Sequence, residues 1–305
     1  MIIPGVGRGG LGAVPDPVKR VVHVGSRGYG RLTAQHRMLP SFLICGGQRC
    51  GTTSLYRALA GHPGILKAVL HKGVHYFDVG YHRGPRWYRA HFPLLRTAAR
   101  VREWYGVPAQ TFESSPYYMY HPHAVARIAA DLPGVRVLVL VRDPVERAYS
   151  HHAHEVARGY ETEAAFDRAL DLEPTRLRGV AERMLADPAY TSFAHQHHAY
   201  RARGEYISYL QPMAEALGRD RIHVVDSQAF FTNPRPVYDG VLDFLGLPAP
   251  TLLGGAYPAF QQHNARPRTA PMDARRRSQL AAHYAPYDAR LAEWLGRRLS
   301  WMDRR

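Results

Sequence analysis

The feature that most limits the possible fold is the run Val135–Val141, which reads VRVLVLV. Apart from Arg136, both of its alternating faces are apolar. A strand of this kind is typical of the centre of a parallel sheet, where helices cover both faces. The run ends at an Arg-Asp-Pro step over residues 142–144, and proline suits the first turn of the helical pattern that follows. The sequence therefore predicts a strand–helix unit in the middle of the fold.

Strand and helix patterns alternate along the rest of the chain. The segment SFLICGG precedes the loop QRCG and the helical pattern TTSLYRALAGH, and further strand patterns are ILKAVL, QTFESS and RIHVVDS. Residues 163–200 have a mostly helical pattern, with predicted breaks at Pro174 and Pro188. The alternation predicts an α/β fold with a doubly wound parallel sheet flanked by helices. We expect a single domain over residues 39–305, preceded by a loose basic N-terminal arm over residues 1–38.

The net charge of the chain indicates which classes of ligand it can bind. A formal net charge of +15 over 305 residues favours an anionic ligand such as a nucleotide or a sulfated sugar, and also suits nucleic acid or an anionic membrane. Nucleic-acid-binding chains usually carry a localised basic run interleaved with aromatic residues. The densest basic cluster, Arg275–Arg277, instead begins a helical pattern with a solvated face. We therefore expect no nucleic-acid partner, while peripheral membrane contact and the oligomeric state stay open.

Other classes of protein are disfavoured by what the sequence lacks. No apolar run approaches the ~18 residues of a membrane span, and the N-terminus lacks the order of a secretory signal. We therefore expect no transmembrane segment and a cytoplasmic location. Cys45 and Cys50 flank a loop that needs a free backbone, so both are expected to be reduced. Histidines cluster over 151–154 and 195–198, but without a supporting carboxylate motif they do not predict a metal site.

The segment from Cys45 to Ser54, CGGQRCGTTS, has most of a phosphate-binding loop. The kinase-type loop reads G-x-x-x-x-G-K-[ST]. Both glycines and the hydroxyl residue match, but Thr52 stands in the lysine position and the only cation is Arg49. Backbone N–H groups ahead of a helix, together with Arg49 and the hydroxyl groups, can bind a phosphate-like group. The loop therefore predicts an anion site that departs from the ATP pattern.

A second anion site is predicted at the end of the strongest strand. Arg142 follows that strand directly, and Ser150 lies about two turns along the next helix. Because ligands of open parallel sheets bind at the carboxyl ends of the strands, both sites are expected at one edge of the sheet. Arg142 and Ser150 can then hold a second phosphate of the same ligand. The alternative for Arg142 is an ion pair with Asp143 or Glu146 at the helix start.

Four motifs in this order resemble one enzyme family: GGQRCGTTSLYRAL, HKGVHYFD, TFESSPYY and VLVLVRDPVERAYSHH. They are similar to the sulfotransferases that use 3′-phosphoadenosine-5′-phosphosulfate (PAPS), and above all to the carbohydrate branch of heparan-sulfate-type enzymes and their bacterial relatives. The resemblance is clear from Ser41 to Tyr160 and weaker beyond. It implies a P-loop-like sulfotransferase fold. It also implies in-line transfer of a sulfuryl group to a hydroxyl or amine of a carbohydrate, glycolipid or other small molecule, with no metal.

The resemblance also implies roles for single residues. Arg142 and Ser150 match the pair that binds the 3′-phosphate of the donor. Arg49 stands where the family commonly has lysine, and we expect it to stabilise the charge that grows on the leaving phosphate oxygen. Arg266, in the late segment HNARP, is a candidate for a loop that closes over the nucleotide, with a surface loop as the alternative. The residues implied to bind the 5′-phosphosulfate are Gln48, Arg49, Cys50, Gly51, Thr52, Thr53 and Ser54.

The general base is where this chain departs from the family pattern. The heparan-sulfate-type pattern has glutamate at the position of Gly73, and glycine cannot accept a proton. His75 is the nearest titratable candidate, and Glu113 at the end of the QTFESS strand is the next. The alternative for His75 is a structural histidine that hydrogen-bonds beneath the loop. Four aromatic residues are candidates for an acceptor cleft, with core packing as the alternative: Trp87, Tyr88, Tyr117 and Tyr118.

Two other functions stay open at this point. A P-loop kinase is disfavoured by the missing lysine and by the lack of a Walker-type magnesium carboxylate. A non-catalytic member of the same fold, which binds a nucleotide or an anionic glycan without turnover, is kept open by the glycine at position 73.

Overall fold

The computed structural model of the chain describes residues 28–263 and 271–303. Its centre is a five-stranded sheet in the order β2-β3-β1-β4-β5, in which every neighbouring pair is parallel. The predicted α/β fold with a parallel sheet flanked by helices is thus confirmed. The strands are β1 (Phe42–Gly46), β2 (Ile65–Lys67), β3 (Gln110–Ser114), β4 (Arg136–Val141) and β5 (Ile222–Asp226).

The two central strands, β1 and β4, have the burial that the sequence predicts. Every residue of β1 is buried, and in β4 only Arg136 is exposed. Apolar side chains on both faces are therefore covered, as a parallel sheet between helices requires. On the β3 side, the rings of Phe42 and Phe112 stack with centroids 4.7 Å apart.

The helices connect and cover these strands. The two that follow the central strands, α1 and α5, begin at the carboxyl edge of the sheet, where ligands of such folds bind. In chain order the α-helices are α1 (Thr52–Leu59), α2 (Pro85–Arg89), α3 (Leu95–Tyr105), α4 (Ala124–Asp131), α5 (Pro144–Ala157), α6 (Phe166–Leu177), α7 (Val180–Ala186), α8 (Phe193–His197), α9 (Ile207–Leu217), α10 (Ser227–Thr232), α11 (Pro234–Leu245) and α12 (Ala274–Leu295). Within the described part of the chain, no helix has both the length and the apolar character that crossing a membrane requires.

The predicted break at Pro174 is wrong, whereas the one at Pro188 lies between α7 and α8 as expected. Helix α6 continues through Pro174 and ends three residues later at Leu177. A proline removes one N–H donor and crowds the carbonyl four residues earlier. Helices α9 and α12 also contain interior prolines, Pro212 and Pro286, so a proline alone does not end a helix in this chain.

Residues just before position 39 already pack against the domain. Ala34, Arg37 and Met38 are buried, and the Arg37 Nη1 donates a hydrogen bond to the carbonyl oxygen of Phe92 at 2.7 Å. The last residues of the predicted arm therefore pack on the domain, while residues 1–27 lie outside the described part of the structure.

Gly46 sets the spacing between the two central strands. In the β1–β4 register it lies opposite Leu140, with φ at 111°. A Cβ atom at position 46 would lie 2.6 Å from the backbone nitrogen of Leu140 and closer still to its carbonyl oxygen. Both the left-handed φ and the contact exclude a side chain, so β1 must end in glycine for the following loop to leave the sheet here.

Gly46→Ala should destabilise the protein by about 3 kcal/mol or more, because strain at positive φ adds to a backbone clash. Gly159→Ala is a matched control: Gly159 also has positive φ, at 71°, but a Cβ atom there meets nothing within 4 Å. The control should cost only about 1 kcal/mol. Urea or thermal unfolding of the two variants compares them directly, and equal losses would contradict the role given to the Leu140 contact.

Candidate active site

The loop after β1 bends sharply between the sheet and α1. The Gly47 N–H donates to the Leu140 carbonyl at 3.0 Å, and the Cys50 N–H donates to the Gly47 carbonyl at 3.1 Å. Arg49 and Gly51 both have positive φ, at 74° and 83°. Left-handed conformation is costly for arginine and uncommon outside constrained loops, and such residues cluster at functional sites. The loop is thus a tightly held turn at the carboxyl end of β1.

The two predicted anion sites lie next to each other. The Arg49 Nε donates to the Ser150 Oγ at 3.1 Å, and the Arg142 Nη1 contacts the Arg49 carbonyl oxygen at 3.5 Å. Residues from the ends of β1 and β4 and from α5 therefore meet at one edge of the sheet, where the sequence placed them. In the same region Asp143 caps α5 by accepting from the Val145 N–H at 3.0 Å.

A second cation, Lys72, lies beside the loop, and the sequence motifs did not predict it there. The Lys72 Nζ lies 3.2 Å from the Thr52 Oγ1 and 2.9 Å from the Thr53 Oγ1. Lys72, from the segment after β2, thus brings a positive charge to the start of α1, where the loop itself has Thr52 in the lysine position of the kinase-type motif. The signal was present in the HKGVHYFD motif, but sequence spacing alone does not show that its lysine reaches back to α1.

The surroundings of Lys72 weaken its positive charge. Burial, and secondarily the nearby charge of Arg57, lower the pKa of Lys72 to about 8. The ammonium group is therefore largely charged at neutral pH and largely neutral a unit or two above that pKa. A bound anion favours the charged form, so Lys72 and an anionic ligand stabilise each other.

Anion affinity at the loop should fall as pH rises through about 8, because Lys72 then loses its charge. Adenosine 3′,5′-bisphosphate is a suitable probe, since its phosphates stay dianionic above pH ~7. We expect binding by calorimetry to weaken about tenfold between pH 7.5 and 9.5 in the wild type, the scale of one charge-assisted hydrogen bond. Lys72→Arg keeps its charge over this range and should lose most of the pH dependence. The same slope in that variant would show that another group causes it.

His75 forms a pair with Asp78 at the rim of the site. The His75 Nδ1 lies 2.7 Å from the Asp78 Oδ2, and the second oxygen of the same carboxylate accepts from the Val79 N–H at 2.6 Å. The Asp78 side chain is fully buried, whereas that of His75 is 42% exposed. Burial opposes the charged imidazole, but the hydrogen bond and charge of Asp78 outweigh it and raise the pKa of His75 above its usual value. With Nδ1 directed at Asp78, Nε2 is the ring nitrogen left to accept a proton.

The glycine at position 73 is explained by its neighbours. A Cβ atom there would lie 2.6 Å from the Ser114 carbonyl oxygen and 3.4 Å from the His75 Nε2. A glutamate would therefore have to displace the end of β3, and the His75 ring nitrogen borders the space into which its side chain would point. The His75 imidazole is therefore a titratable group next to position 73, where the family pattern has glutamate.

Glu113 is a positioning residue in this structure, which argues against its predicted role as the base. It is fully buried, and its two oxygens accept from the Val74 N–H at 2.7 Å and from three hydroxyl groups. The donors of those three bonds are Tyr88, Ser115 and Tyr118, at 3.1, 2.6 and 2.7 Å. The carboxylate thus anchors the segment that carries Lys72 and His75 to the end of β3. The strand pattern in the sequence predicts that Glu113 lies at the carboxyl end of a strand. It does not predict the hydrogen bonds that Glu113 accepts from other segments.

Gln48 is held from two directions. Its Nε2 donates to the Glu155 Oε1 at 2.6 Å, and its Oε1 accepts from the Arg203 Nη1 at 2.8 Å. Glu155 also accepts from the His197 Nδ1 at 2.8 Å. Burial opposes ionisation of Glu155, but its contacts with His151 and His197 hold its pKa well below the usual range. Gln48 is therefore fixed by a buried polar network rather than by the loop itself.

The remaining predicted loop residues are mostly buried, and one predicted residue cannot be placed. Cys50 has no exposed surface and lies 3.6 Å from the Tyr206 hydroxyl, and burial raises the pKa of its thiol. The buried Ser54 accepts from the His263 N–H at 2.9 Å, so the late segment does reach the loop. Arg266 itself lies outside the described residues.

Most of the aromatic candidates for the acceptor cleft belong to the core. Tyr88, Tyr117 and Tyr118 are buried, and Trp87 packs against the core, so packing is their main role. Tyr117 also donates to or accepts from the His195 Nδ1 at 2.7 Å, which links it to α8. Over residues 28–263 and 271–303, no group of three or more His, Cys, Asp or Glu side chains is arranged to hold a metal ion.

The site and the sheet together define a P-loop-like α/β transferase, and the comparisons identify its family. The model of the sulfotransferase domain family matches residues 39–256. The chain is 30% identical over 221 residues to the human bifunctional heparan sulfate N-deacetylase/N-sulfotransferase 3, which covers 68% of this chain and 22% of that protein. It is 26% identical over 289 residues to mouse bifunctional heparan sulfate N-deacetylase/N-sulfotransferase 4, which covers 85% of this chain and 30% of that protein.

A solved structure agrees with these sequence matches. The crystal structure of a sulfotransferase from Alicyclobacillus acidocaldarius superimposes with a TM-score of 0.63 at 26% identity, covering 86% of this chain and 98% of that one. The chain belongs to the sulfotransferase family. It spans less than a third of the length of the two curated relatives named above.

Proposed function

We propose that the protein transfers a sulfuryl group from PAPS to a hydroxyl or amine of a carbohydrate or other small-molecule acceptor. The observation that supports this most is the meeting of two anion sites, Arg49 with the loop and Arg142 with Ser150, at one edge of the sheet. A donor with phosphate groups at both its 3′ and 5′ positions suits two such sites, whereas ATP does not use the second. The donor supplies an activated sulfuryl group, and the chain supplies position, charge and a proton acceptor.

The cations suit a reaction in which negative charge grows on a leaving phosphate oxygen. Lys72 contacts Thr52 and Thr53 at the start of α1, and Arg49, in the loop that leads into this helix, contacts Ser150 on α5. Preorganised donors of this kind stabilise developing charge without rearrangement during the reaction. Lys72 takes the place that a kinase fills with a loop lysine, so the loop is complete for an anion although it departs from the kinase pattern.

The proton acceptor in this proposal is His75. Its Nε2 borders the position of the absent glutamate, its Nδ1 is bound to Asp78, and its side chain is the partly exposed member of the pair. A carboxylate behind an imidazole fixes the tautomer and stabilises the imidazolium once the proton has moved. The His75–Asp78 pair can therefore do the work of the carboxylate that Gly73 replaces. The glycan specificity of the curated relatives supports a sugar as the acceptor.

The donor proposal is tested by ligand-induced stabilisation without magnesium. We expect a 100-fold excess of adenosine 3′,5′-bisphosphate over its dissociation constant to raise the melting temperature by about 5–10 °C, while ADP and ATP do much less. Arg142→Ala should remove most of this advantage, whereas Arg100→Ala, which deletes an exposed arginine on α3, should retain it. Stabilisation by ATP with Mg²⁺ that equals or exceeds that of the bisphosphate would favour a kinase instead.

The role of His75 is tested by turnover of labelled PAPS against a panel of glycans. His75→Gln should lower kcat by ~10²–10⁴-fold, the usual scale for a lost general base, with nucleotide affinity within about twofold of wild type. In the wild type, activity should rise with pH through a pKa above 6.5, because the neutral imidazole is the active form. Asp78→Asn removes the charge that raises this pKa, so the rising limb should move to lower pH. Full activity of His75→Gln would exclude His75, and no turnover by the wild type despite tight nucleotide binding would favour a non-catalytic member.

A further inference from the structure

An exposed aromatic surface lies beside the buried network that holds Gln48. Phe193, the first residue of α8, is 54% exposed, although its ring contacts other rings on one side. The centroid of its ring lies 4.5 Å from that of His197 and 5.9 Å from that of Tyr160, and the latter two rings are 4.6 Å apart. We call these three residues the aromatic platform. The Tyr160 ring meets the other two edge-on and the Arg158 guanidinium lies over it, 4.5 Å from its centroid, so Phe193 supplies the exposed apolar surface of the platform.

The platform is tied to the donor loop by two separate routes. In the first, Gln48 donates to Glu155, and Glu155 accepts from the His197 of the platform. In the second, Arg203 donates to Gln48 through Nη1 and to the carbonyl oxygens of His195 and Gln196 through Nη2, at 2.9 and 2.7 Å. These hydrogen bonds therefore fix α8 relative to Gln48. Because Phe193 and His197 belong to α8, the position of the platform relative to the loop is fixed as well.

The polar side of the platform is also defined. The His197 Nδ1 is taken by Glu155, whose side chain is fully buried, while the His197 side chain is 14% exposed. With Nδ1 bound to Glu155, Nε2 is the ring nitrogen of His197 that is left for another partner, and the ring itself lies 4.5 Å from that of the exposed Phe193. A broad ring face beside one fixed polar nitrogen matches the two-sided chemistry of a pyranose, which has an apolar C–H face and hydroxyl groups around its rim.

We propose that the aromatic platform is an acceptor subsite that binds a pyranose ring of a glycan. The inference rests on the proposed sulfuryl transfer and deepens it by assigning the acceptor to residues that the family motifs do not include. Phe193 and Tyr160 pack against the sugar, and His197 binds a hydroxyl group at its rim. The polar network beneath the platform connects this subsite to Gln48 in the loop that binds the donor in the proposed reaction.

Phe193→Ala is the central variant, with Trp104→Ala as the matched control because Trp104 is an aromatic residue on α3 that is 70% exposed. We expect Phe193→Ala to raise the KM for a heparan-derived oligosaccharide about fivefold or more, with the dissociation constant of adenosine 3′,5′-bisphosphate unchanged within about twofold. Phe193→Trp keeps a ring face and should stay within about threefold of wild type. The control variant should change neither quantity.

Saturation-transfer NMR of the same oligosaccharide, with the bisphosphate bound, separates failure of this inference from failure of the proposed reaction. Sugar contacts present in the wild type and lost in Phe193→Ala would support the subsite even without turnover. Equal sugar binding in both proteins, an unchanged KM, or an equal loss of nucleotide affinity in Phe193→Ala would overturn it. The absence of sugar binding in the wild type would also overturn it. Failure of the wild type to bind the bisphosphate would instead remove the reaction on which it rests.

Discussion

The close pairing of β1 with β4 is the constraint on which the site depends. Gly46 lies against the backbone of Leu140 at a spacing that no side chain permits, so the two strands end side by side. Because both strands are parallel, their following loops leave the same edge of the sheet. Arg49 and Arg142 then share a site although 93 residues separate them in the chain. The proposed binding of one ligand by both arginines depends on this closeness.

The sequence was sufficient to predict the parallel sheet and the closeness of Arg49, Arg142 and Ser150, because these depend on local patterns. Apolar runs identify strands, glycines identify the turn, and parallel strands bring their ends together without further information. Lys72 and the surroundings of Glu113 were missed for one physical reason. Their roles depend on contacts made by side chains that reach across from other elements, to Thr52 and Thr53 in one case and from Tyr88 and Tyr118 in the other. The spacing of residues along the chain does not predict such contacts.

Where the sequence departs from a motif, a residue from elsewhere in the chain brings a similar chemical group to the same region of the structure. The loop lacks a lysine, and Lys72 arrives from the segment after β2; the glutamate position is a glycine, and an imidazole paired with Asp78 borders it. In both cases a charge or a proton acceptor is retained while the residue that carries it changes. Compared with the motifs position by position, the sequence lacks a lysine and a glutamate. The folded protein nevertheless contains the charged group and the proton acceptor that the proposed chemistry needs.

The source of the second cation also links the site to the stability of the sheet edge. Lys72 follows β2, a strand of three residues that pairs with β3 and lies at one edge of the sheet formed by the described residues. Short edge strands open at lower free energy than the centre of a sheet. The Lys72 carbonyl oxygen accepts from the Ser114 N–H at 2.8 Å, so an opening must also break this contact with β3 before it withdraws the ammonium group from the loop. An anion held by Lys72 must in return oppose such an opening. By linkage, the free energy that the ligand adds to edge closure equals the free energy that edge closure adds to ligand binding. An anion bound at this loop would thus also stabilise β2, the short strand at the edge of the sheet.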